Sequence, residues 1–190
     1  AHLRSYPVEV LDNRRVEAIE DGELKTVRLA GGEVLRTKAL VMATGAQWRE
    51  LNVPGEKEYI GRGVAFCPHC DGPFYKDREV VVIGGGNSGI EAAIDLAGIC
   101  SRVTVVEFMA ELKADKVLVD NLKKLPNTEV IVNHRTAEIL GDGSKVTAIK
   151  VVDRATDAER TFPIDGIFIQ IGLAPNSGLV RGLVDVNRFG

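Results

Sequence analysis

Cys67 and Cys70 have the C-x-x-C spacing of a redox dithiol, within the stretch FCPHCDGPFYKDREVVVIGGGNSGIEAA. This spacing puts both sulfurs on one turn of chain, close enough for a disulfide bond. His69 and a local helix N-terminus would both favour a thiolate, and Asp71 is placed to handle protons as the bond opens or forms. The motif therefore predicts thiol–disulfide chemistry that uses Cys67, Cys70 and Asp71.

Zinc binding is the alternative interpretation of a close cysteine pair. A structural zinc site normally needs four ligands, but His134 is distant in sequence and Cys100 ends an apolar helical stretch. We therefore expect no metal, and we expect Cys100 to be a small buried apolar residue. The string C-P-H-C also occurs in thioredoxin-like thiol oxidants, but that fold lacks the strand, glycine loop and helix that follow here.

The string GGGNSG fits the pattern G-x-G-x-x-G, and it lies between a predicted strand and a predicted helix. That context is typical of a dinucleotide-binding loop. The first glycine permits the tight turn, the second lets the pyrophosphate approach, and the third lets helix and strand pack closely. A purely structural turn remains the alternative. The predicted binding residues are Gly84, Gly85, Gly86, Asn87, Ser88 and Gly89.

Glu107 ends the next predicted strand, where an acid accepts hydrogen bonds from the adenosine ribose of a bound dinucleotide. A carboxylate at this point repels a 2′-phosphate. In the residues that follow, FMAELK, only Lys113 is basic. We therefore expect the site to bind NADH in preference to NADPH.

The composition of the chain excludes several other classes of function. The 190 residues carry a net charge of -3, with 45% hydrophobic and 27% charged residues, which is typical of a globular protein. Scattered basic residues argue against nucleic-acid binding, and no apolar run approaches the roughly 18 residues that span a bilayer. The beginning AHLRSYPVEV lacks a signal-peptide pattern. Three cysteines with one close pair favour a reducing compartment, so a cytoplasmic location is expected.

Hydrophobic periodicity places both motifs in an α/β fold. The sequence predicts a strand over 79–84, a helix over 87–99, a strand over 102–107, a helix over 115–125 and a strand over 128–133. Strands that alternate with helices predict a parallel sheet with right-handed crossovers. The residues after Gly45, through QWRELNVPGEKEYIGRG, contain Pro54-Gly55, Gly61 and Gly63 and are expected to form a loose linker before this sheet.

Strand-rich segments flank the predicted parallel sheet. Residues 7–47 read as the strands VEVLD, RVEAIE, KTVRLA, EVLRT and ALVMAT, with turns at Asp21-Gly22 and Gly31-Gly32. A later hairpin turns at Asp142-Gly143, and the strands ERTFP and GIFIQIG follow it.

These two segments match each other in order and turn chemistry. EAIEDG corresponds to EILGDG, and ALVMATGA corresponds to GIFIQIGLA. We interpret the match as a repeat of one domain type, with two unrelated hairpins as the alternative. The first copy would then begin before residue 1, so the chain is expected to be a fragment of a protein with two dinucleotide-binding domains.

The residues from Phe66 to Asp115, together with IFIQIGLAPN, resemble the flavoprotein components of bacterial alkyl hydroperoxide reductases. They are similar, less closely, to low-molecular-weight thioredoxin reductases, both within the pyridine nucleotide-disulfide oxidoreductase family. The resemblance implies a Rossmann-like NAD-binding domain beside a partial FAD-binding domain. It also implies that FAD carries electrons from NADH to the disulfide.

Several residue roles follow from this resemblance. Cys70 would face the flavin, Cys67 would attack the next disulfide, and Asp71 would be the family's acid after the second cysteine. Thioredoxin reductases carry an arginine pair for the 2′-phosphate where Phe108 and Met109 stand here, which again favours NADH. The resemblance adds Ile171 and Gly172 to the NAD site, and it places Thr44 and Gly45 on the FAD side.

The resemblance also sets the domain boundaries and the partners. We expect a partial FAD-binding domain over 1–55, an NAD-binding domain with the C-x-x-C site over 56–178, and a return to the FAD domain over 179–190. FAD is expected in the full-length protein but not in this chain, which lacks the family's first glycine loop. The expected electron acceptor is a thioredoxin-like domain or a peroxiredoxin, and a homodimer is possible. The alternatives are a thioredoxin reductase-like enzyme and an NAD-binding module with an idle disulfide.

Overall fold

The computed structural model describes residues 5–190, which pack into two compact units. Unit 1 consists of the described residues up to Gln47 together with Ala174–Gly190, and unit 2 is Trp48–Leu173. The first four residues of the predicted domain 1–55 lie outside the described residues.

Unit 1 contains a three-stranded antiparallel meander. Its strands are β1 (Val16–Glu20), β2 (Lys25–Leu29) and β3 (Val34–Thr37), in that order across the sheet. The turns fall at the predicted Asp-Gly and Gly-Gly pairs, so these three predicted strands are confirmed.

Two other strands predicted in this region are absent. Residues 8–12 and 39–44 have no strand structure, and Val41 is 88% exposed. A strand is stabilised by the ladder it forms with a neighbour, and no described strand of unit 1 pairs with either segment. The apolar patterns of VEVLD and ALVMAT were therefore misleading.

Unit 2 is built on a parallel sheet of five strands, as the alternation of strands and helices predicts. Its strands are β5 (Val64–Ala65), β6 (Glu79–Ile83), β7 (Arg102–Val106), β8 (Thr128–Ile131) and β12 (Gly166–Ile169). Their order across the sheet is β5, β12, β6, β7, β8.

Two crossover helices, α3 (Asn87–Ala97) and α4 (Lys116–Leu122), connect β6 to β7 and β7 to β8. Helix α3 buries Ile90, Ala93 and Leu96, which recur at helical spacing, against Val80 and Val82 of β6. The predicted α/β class is confirmed.

A second antiparallel meander covers the other face of this sheet. Its strands β9 (His134–Gly141), β10 (Val146–Asp153) and β11 (Glu159–Pro163) are arranged with β10 in the middle. Ile139, Ile149 and Val151 pack with Val81 and Ile167 of the parallel sheet. The hairpin turn at Asp142-Gly143 forms as predicted.

The predicted loose linker is largely ordered. It contains β4 (Ala46–Trp48) and the short helix α1 (Glu56–Tyr59). The carboxylate of Glu56, 0% exposed, accepts hydrogen bonds from the backbone N–H groups of Leu51 (2.8 Å) and Asn52 (2.6 Å). A buried carboxylate needs such partners, so this side chain fixes the local path of residues 51–56.

The remaining elements are short. Strand β13 (Leu173–Pro175) pairs with β4, and helix α2 (Pro68–Asp71) contains one of the two cysteines. Within residues 5–190, no helix has both the length and the apolar character needed to cross a bilayer.

Candidate functional site

The glycine loop turns sharply between β6 and α3, and two of its glycines are required by the fold. Gly84 has φ = +117°, and a Cβ there would lie 2.4 Å from the carbonyl oxygen of Gln170. A Cβ on Gly89 would lie 1.9 Å from the carbonyl oxygen of Gly84. Neither position accepts a side chain without moving backbone.

Gly86 differs, because a Cβ added there would meet no atom within 4 Å. It is the N-cap residue of α3 and makes no side-chain cap hydrogen bond. The first N–H groups of the 11-residue helix α3 are thus left for an outside acceptor. An open backbone at a helix N-terminus is what a pyrophosphate requires, so this loop fits a dinucleotide.

Glu107 follows β7 and lies beside the glycine loop, with only 8% of its surface exposed. Its Oε2 accepts a hydrogen bond from the N–H of Gly85, and its Oε1 accepts one from the N–H of Met109 at 2.7 Å. Each carboxylate oxygen has a second lone pair for a ribose hydroxyl. Its place at the carboxyl end of a parallel strand is where such sheets bind ligands.

A cavity of about 690 Å³ brings most of the predicted dinucleotide-binding residues together. Gly89 lies buried beneath the loop and is not among the residues that line the cavity. The predicted residues in the wall are Gly84, Gly85, Gly86, Asn87, Ser88, Glu107, Ile171 and Gly172.

Sequence reasoning missed several residues of the cavity wall. His134, Arg135 and Thr136 at the start of β9 line it, as do Phe108 and Gln170. The signal was present, since HRT directly follows the third predicted strand and so must lie at the same edge of the sheet as Glu107. The Oγ1 of Thr136 is buried with no hydrogen-bond partner in residues 5–190, so a polar ligand atom would satisfy it.

The cysteine pair forms a disulfide with a Cα–Cα distance of 5.2 Å. Cys67 is the N-cap of α2, and its Sγ accepts a hydrogen bond from the N–H of Cys70 at 3.2 Å. Pro68 occupies the first helical position, where its missing N–H costs nothing. Cys67 is half-buried and Cys70 is exposed.

The disulfide and the glycine loop do not share a cavity. Cys67 and Asp71 line a second cavity of about 500 Å³, with Phe66 and Tyr75 also in its wall. His69 is exposed, with its Nε2 3.7 Å from Oδ2 of Asp95.

Gln170 contacts the segments that lead to both sites. Its backbone oxygen lies against Gly84, and its side-chain amide donates a hydrogen bond to the carbonyl oxygen of Phe66 at 2.8 Å. The ring of Phe66 stacks on that of Trp48, with centroids 6.1 Å apart.

Thr44 and Gly45, predicted on the FAD side, lie in unit 1. The Oγ1 of Thr44 donates to the carbonyl oxygen of Asn176 at 2.8 Å, and the N–H of Asn176 donates to the carbonyl oxygen of Gly45 at 3.0 Å. The described residues of unit 1 contain no α-helix whose N-terminus could hold a pyrophosphate. These residues alone do not fit an FAD site.

Cys100 is buried, and burial raises the pKa of its thiol to about 11, with a smaller contribution from the nearby charge of Asp77. It therefore stays a protonated apolar residue, as predicted. Across residues 5–190, no cluster of three or more His, Cys, Asp or Glu side chains is arranged to hold a metal ion.

The parallel sheet, the open glycine loop and the acid after β7 have the arrangement of a Rossmann-type dinucleotide-binding fold. Comparison with known proteins makes this more specific, because the sequence profile of the family described as pyridine nucleotide-disulphide oxidoreductase matches residues 2–189. The chain belongs to this family, and the resemblance stated from sequence is confirmed.

Individual relatives agree with this assignment. The F component of the alkyl hydroperoxide reductase of Pseudomonas putida is 52% identical over 192 residues, which cover 100% of this chain and 37% of that protein. A Bacillus subtilis (strain 168) protein named NADH dehydrogenase is 50% identical, with 100% and 37% covered. The crystal structure of T. acidophilum thioredoxin reductase superimposes with a TM-score of 0.82 and 35% identity, covering 93% of this chain and 58% of that one. The chain thus spans a little over a third of the length of these curated relatives.

Proposed function

We propose that this chain is the NADH-binding and disulfide-bearing part of a longer NADH-dependent flavoprotein disulfide reductase. The observation that carries the proposal is that one compact unit holds both a C-x-x-C disulfide and a glycine-loop cavity. Family membership and the sequence relatives support it. When bound, a nicotinamide would supply a hydride, and a flavin would supply the chemistry that carries its two electrons to a disulfide.

In this proposal the glycine loop and the start of α3 bind the pyrophosphate, with Asn87 and Ser88 at its edge. Glu107 accepts hydrogen bonds from the adenosine ribose, and Ile171 and Gly172 line the nicotinamide end. Asn87 also exchanges hydrogen bonds with Asp115, which ties the loop to the N-terminus of α4. That link gives the loop a fixed shape before the ligand arrives.

Reduction of the Cys67–Cys70 bond takes two electrons and two protons and yields two thiols. The thiolate of Cys67 then attacks the partner's disulfide, and one partner sulfur leaves as a thiolate. Attack by Cys70 on the resulting mixed disulfide restores the Cys67–Cys70 bond and releases the reduced partner. The N–H of Cys70 already bonds to Sγ of Cys67, so it is placed to stabilise that thiolate. Asp71 is assigned the proton transfers.

The proposed acceptor is a thioredoxin-like domain or a peroxiredoxin-linked disulfide in peroxide removal, in the cytoplasm, with a homodimer as the assembly. The sequence similarity to the alkyl hydroperoxide reductase component of Pseudomonas putida supports the peroxide system. A thioredoxin reductase-like enzyme is the second candidate, and the fold similarity to the T. acidophilum enzyme favours it.

Thiol counting tests the proposed electron path. NADH added without oxygen should release two thiols in the full-length protein and none in this chain, which we expect to lack the flavin relay. Replacing Cys67 or Cys70 with Ser should abolish disulfide reduction but leave flavin reduction by NADH intact, because that step does not use the sulfurs. Two new thiols in the chain alone, without flavin, would show that no relay is needed.

An isolated NAD-binding module with an idle disulfide is a separate class of function. It is favoured by the separate cavities of the disulfide and the glycine loop.

The absorption spectrum of the purified chain tests whether the chain binds FAD. We expect little or no flavin band. A stoichiometric flavin band would contradict our expectation that the chain lacks FAD, and it would favour the enzyme over the module.

A further inference from the structure

Phe108 presents an aromatic ring at the edge of the glycine-loop cavity. It directly follows Glu107, lines the cavity and is 51% exposed. A large exposed apolar side chain beside a ligand cavity suggests a contact surface for the ligand.

The guanidinium of Arg154 stacks on this ring, with its central carbon 3.7 Å from the ring centroid. Its Nη1 also donates hydrogen bonds to the carbonyl oxygen of Phe108 at 2.9 Å and to Oδ1 of Asn133 at 3.4 Å. The backbone N–H of Arg154 donates to the carbonyl oxygen of Asn133 at 2.9 Å. A planar cation held by several hydrogen bonds restrains the ring that it covers.

Only one of the two stacked residues lines the cavity. Phe108 is part of the wall, whereas Arg154 is not. Arg154 therefore covers a part of the ring outside the cavity, and Phe108 keeps other surface in the cavity wall, where a ligand would lie. A ring that is already fixed loses little conformational entropy when a ligand stacks on it.

The position of the ring relative to Glu107 identifies the part of the ligand. If the carboxylate of Glu107 binds the adenosine ribose, the base attached to that ribose lies next to the following residue. A purine is flat and aromatic, and it stacks well on an aromatic side chain.

We propose that Phe108 is the adenine platform of the dinucleotide site and that Arg154 is a positioning residue that holds the platform in place. The inference rests on the proposed NADH site, but it concerns the adenosine half of the ligand. NADH binding by itself would therefore not establish that Phe108 contacts the adenine.

Calorimetric titration of the purified chain with three ligands tests the proposal. NADH and ADP-ribose both contain adenosine, whereas reduced nicotinamide mononucleotide lacks it. Phe108→Ala should lower the affinity for NADH and for ADP-ribose about tenfold and leave the affinity for the mononucleotide unchanged. Arg154→Ala should lower the affinity for NADH and ADP-ribose about threefold, because the ring remains but is no longer fixed. Phe108→Tyr should restore near-normal affinity.

Arg160→Ala is a matched control, because Arg160 stacks on Phe162 at 4.9 Å in β11, and neither residue lines this cavity. It should leave all three affinities unchanged. If the wild-type chain binds NADH and Phe108→Ala binds NADH and ADP-ribose with unchanged affinity, the adenine platform is overturned but the NADH site is not. Equal loss of all three ligands would overturn the platform as well, since the effect would not be specific to adenine. A wild-type chain that binds no NADH would overturn the proposed NADH site and the platform together.

Discussion

The two meanders of this chain have the same strand order but very different burial. In unit 1, β1–β3 bury only Val27 and Leu29 among their described residues, whereas β9–β11 in unit 2 bury an apolar face against the parallel sheet. The segments that follow also differ, because residues 39–44 form no strand while Gly166–Ile169 is fully buried. Turn residues are enough to produce a meander, but a buried strand forms only where neighbouring strands can pair with it.

The contrast in burial predicts the largest difference in stability. Ile149→Ala, at a position 0% exposed in β10, should lower the free energy of unfolding of unit 2 by about 3 kcal/mol because it leaves a cavity. Leu35→Ala in β3 should change unit 1 by less than about 0.5 kcal/mol. Hydrogen exchange resolved by unit measures both values, and equal losses would erase the contrast.

A second pair of variants separates folding from binding within unit 2. Gly89→Ala should destabilise the unit by about 2 kcal/mol, because its Cβ would meet the backbone of Gly84. Gly86→Ala should leave the melting temperature almost unchanged but weaken NADH by about tenfold or more, since only the pyrophosphate approaches there. Normal NADH affinity in Gly86→Ala would place the pyrophosphate elsewhere.

The nucleotide preference is a smaller effect, and it depends on opposing charges in the cavity wall. Glu107 should make NADH bind about tenfold more tightly than NADPH, and Glu107→Ala should narrow that ratio. Arg135 lines the same cavity, so Arg135→Ala should weaken NADPH more than NADH. Titration with both nucleotides gives the ratios, and equal wild-type affinities would refute the role assigned to Glu107.

The smallest expected effect compares the two Asp-Gly turns. The side-chain hydrogen bond from Lys25 is the main cause that lowers the pKa of Asp21, whereas the backbone N–H groups of Lys145 and Ser144 lower the pKa of Asp142. Because both values are lowered on folding, each turn loses its stabilising contribution as the pH falls through the folded pKa, below about pH 4. Raising NaCl from about 50 mM to about 500 mM should raise the pKa of Asp21 more than that of Asp142. Carboxyl NMR titrations measure this, and equal salt shifts would contradict the assignment.

The parallel sheet, its crossover helices and the glycine loop were predictable because their signals are local. Alternating apolar segments predicted β6, α3 and β7, and the turn residues predicted both meanders. The strand over 39–44 was wrongly predicted because an apolar run does not reveal whether neighbouring strands will pair with it. The order of residues 51–56 was missed because a Glu in a glycine-rich stretch gives no sign of being buried.

The candidate site was predictable only in part for a similar reason. The glycine loop and Glu107 belong to one motif, so their spacing indicated a site. Arg154 reaches Phe108 across 46 residues of sequence, and such contacts depend on how β10 packs beside the sheet. Only the folded chain could show that pairing.

The glycine loop also determines how this sequence can diverge over time. Gly84 and Gly89 are held by their own backbone neighbours, so a descendant that no longer bound nucleotides would still have to keep them in order to fold. Gly86 has open space around it, and only a ligand restricts what stands there. In a lineage that no longer binds nucleotides, Gly86 should be substituted first, while Gly84 and Gly89 are retained. The pattern G-x-A/S-x-x-G in a relative would then indicate, from sequence alone and without any assay, that an ancestral nucleotide-binding site has been lost.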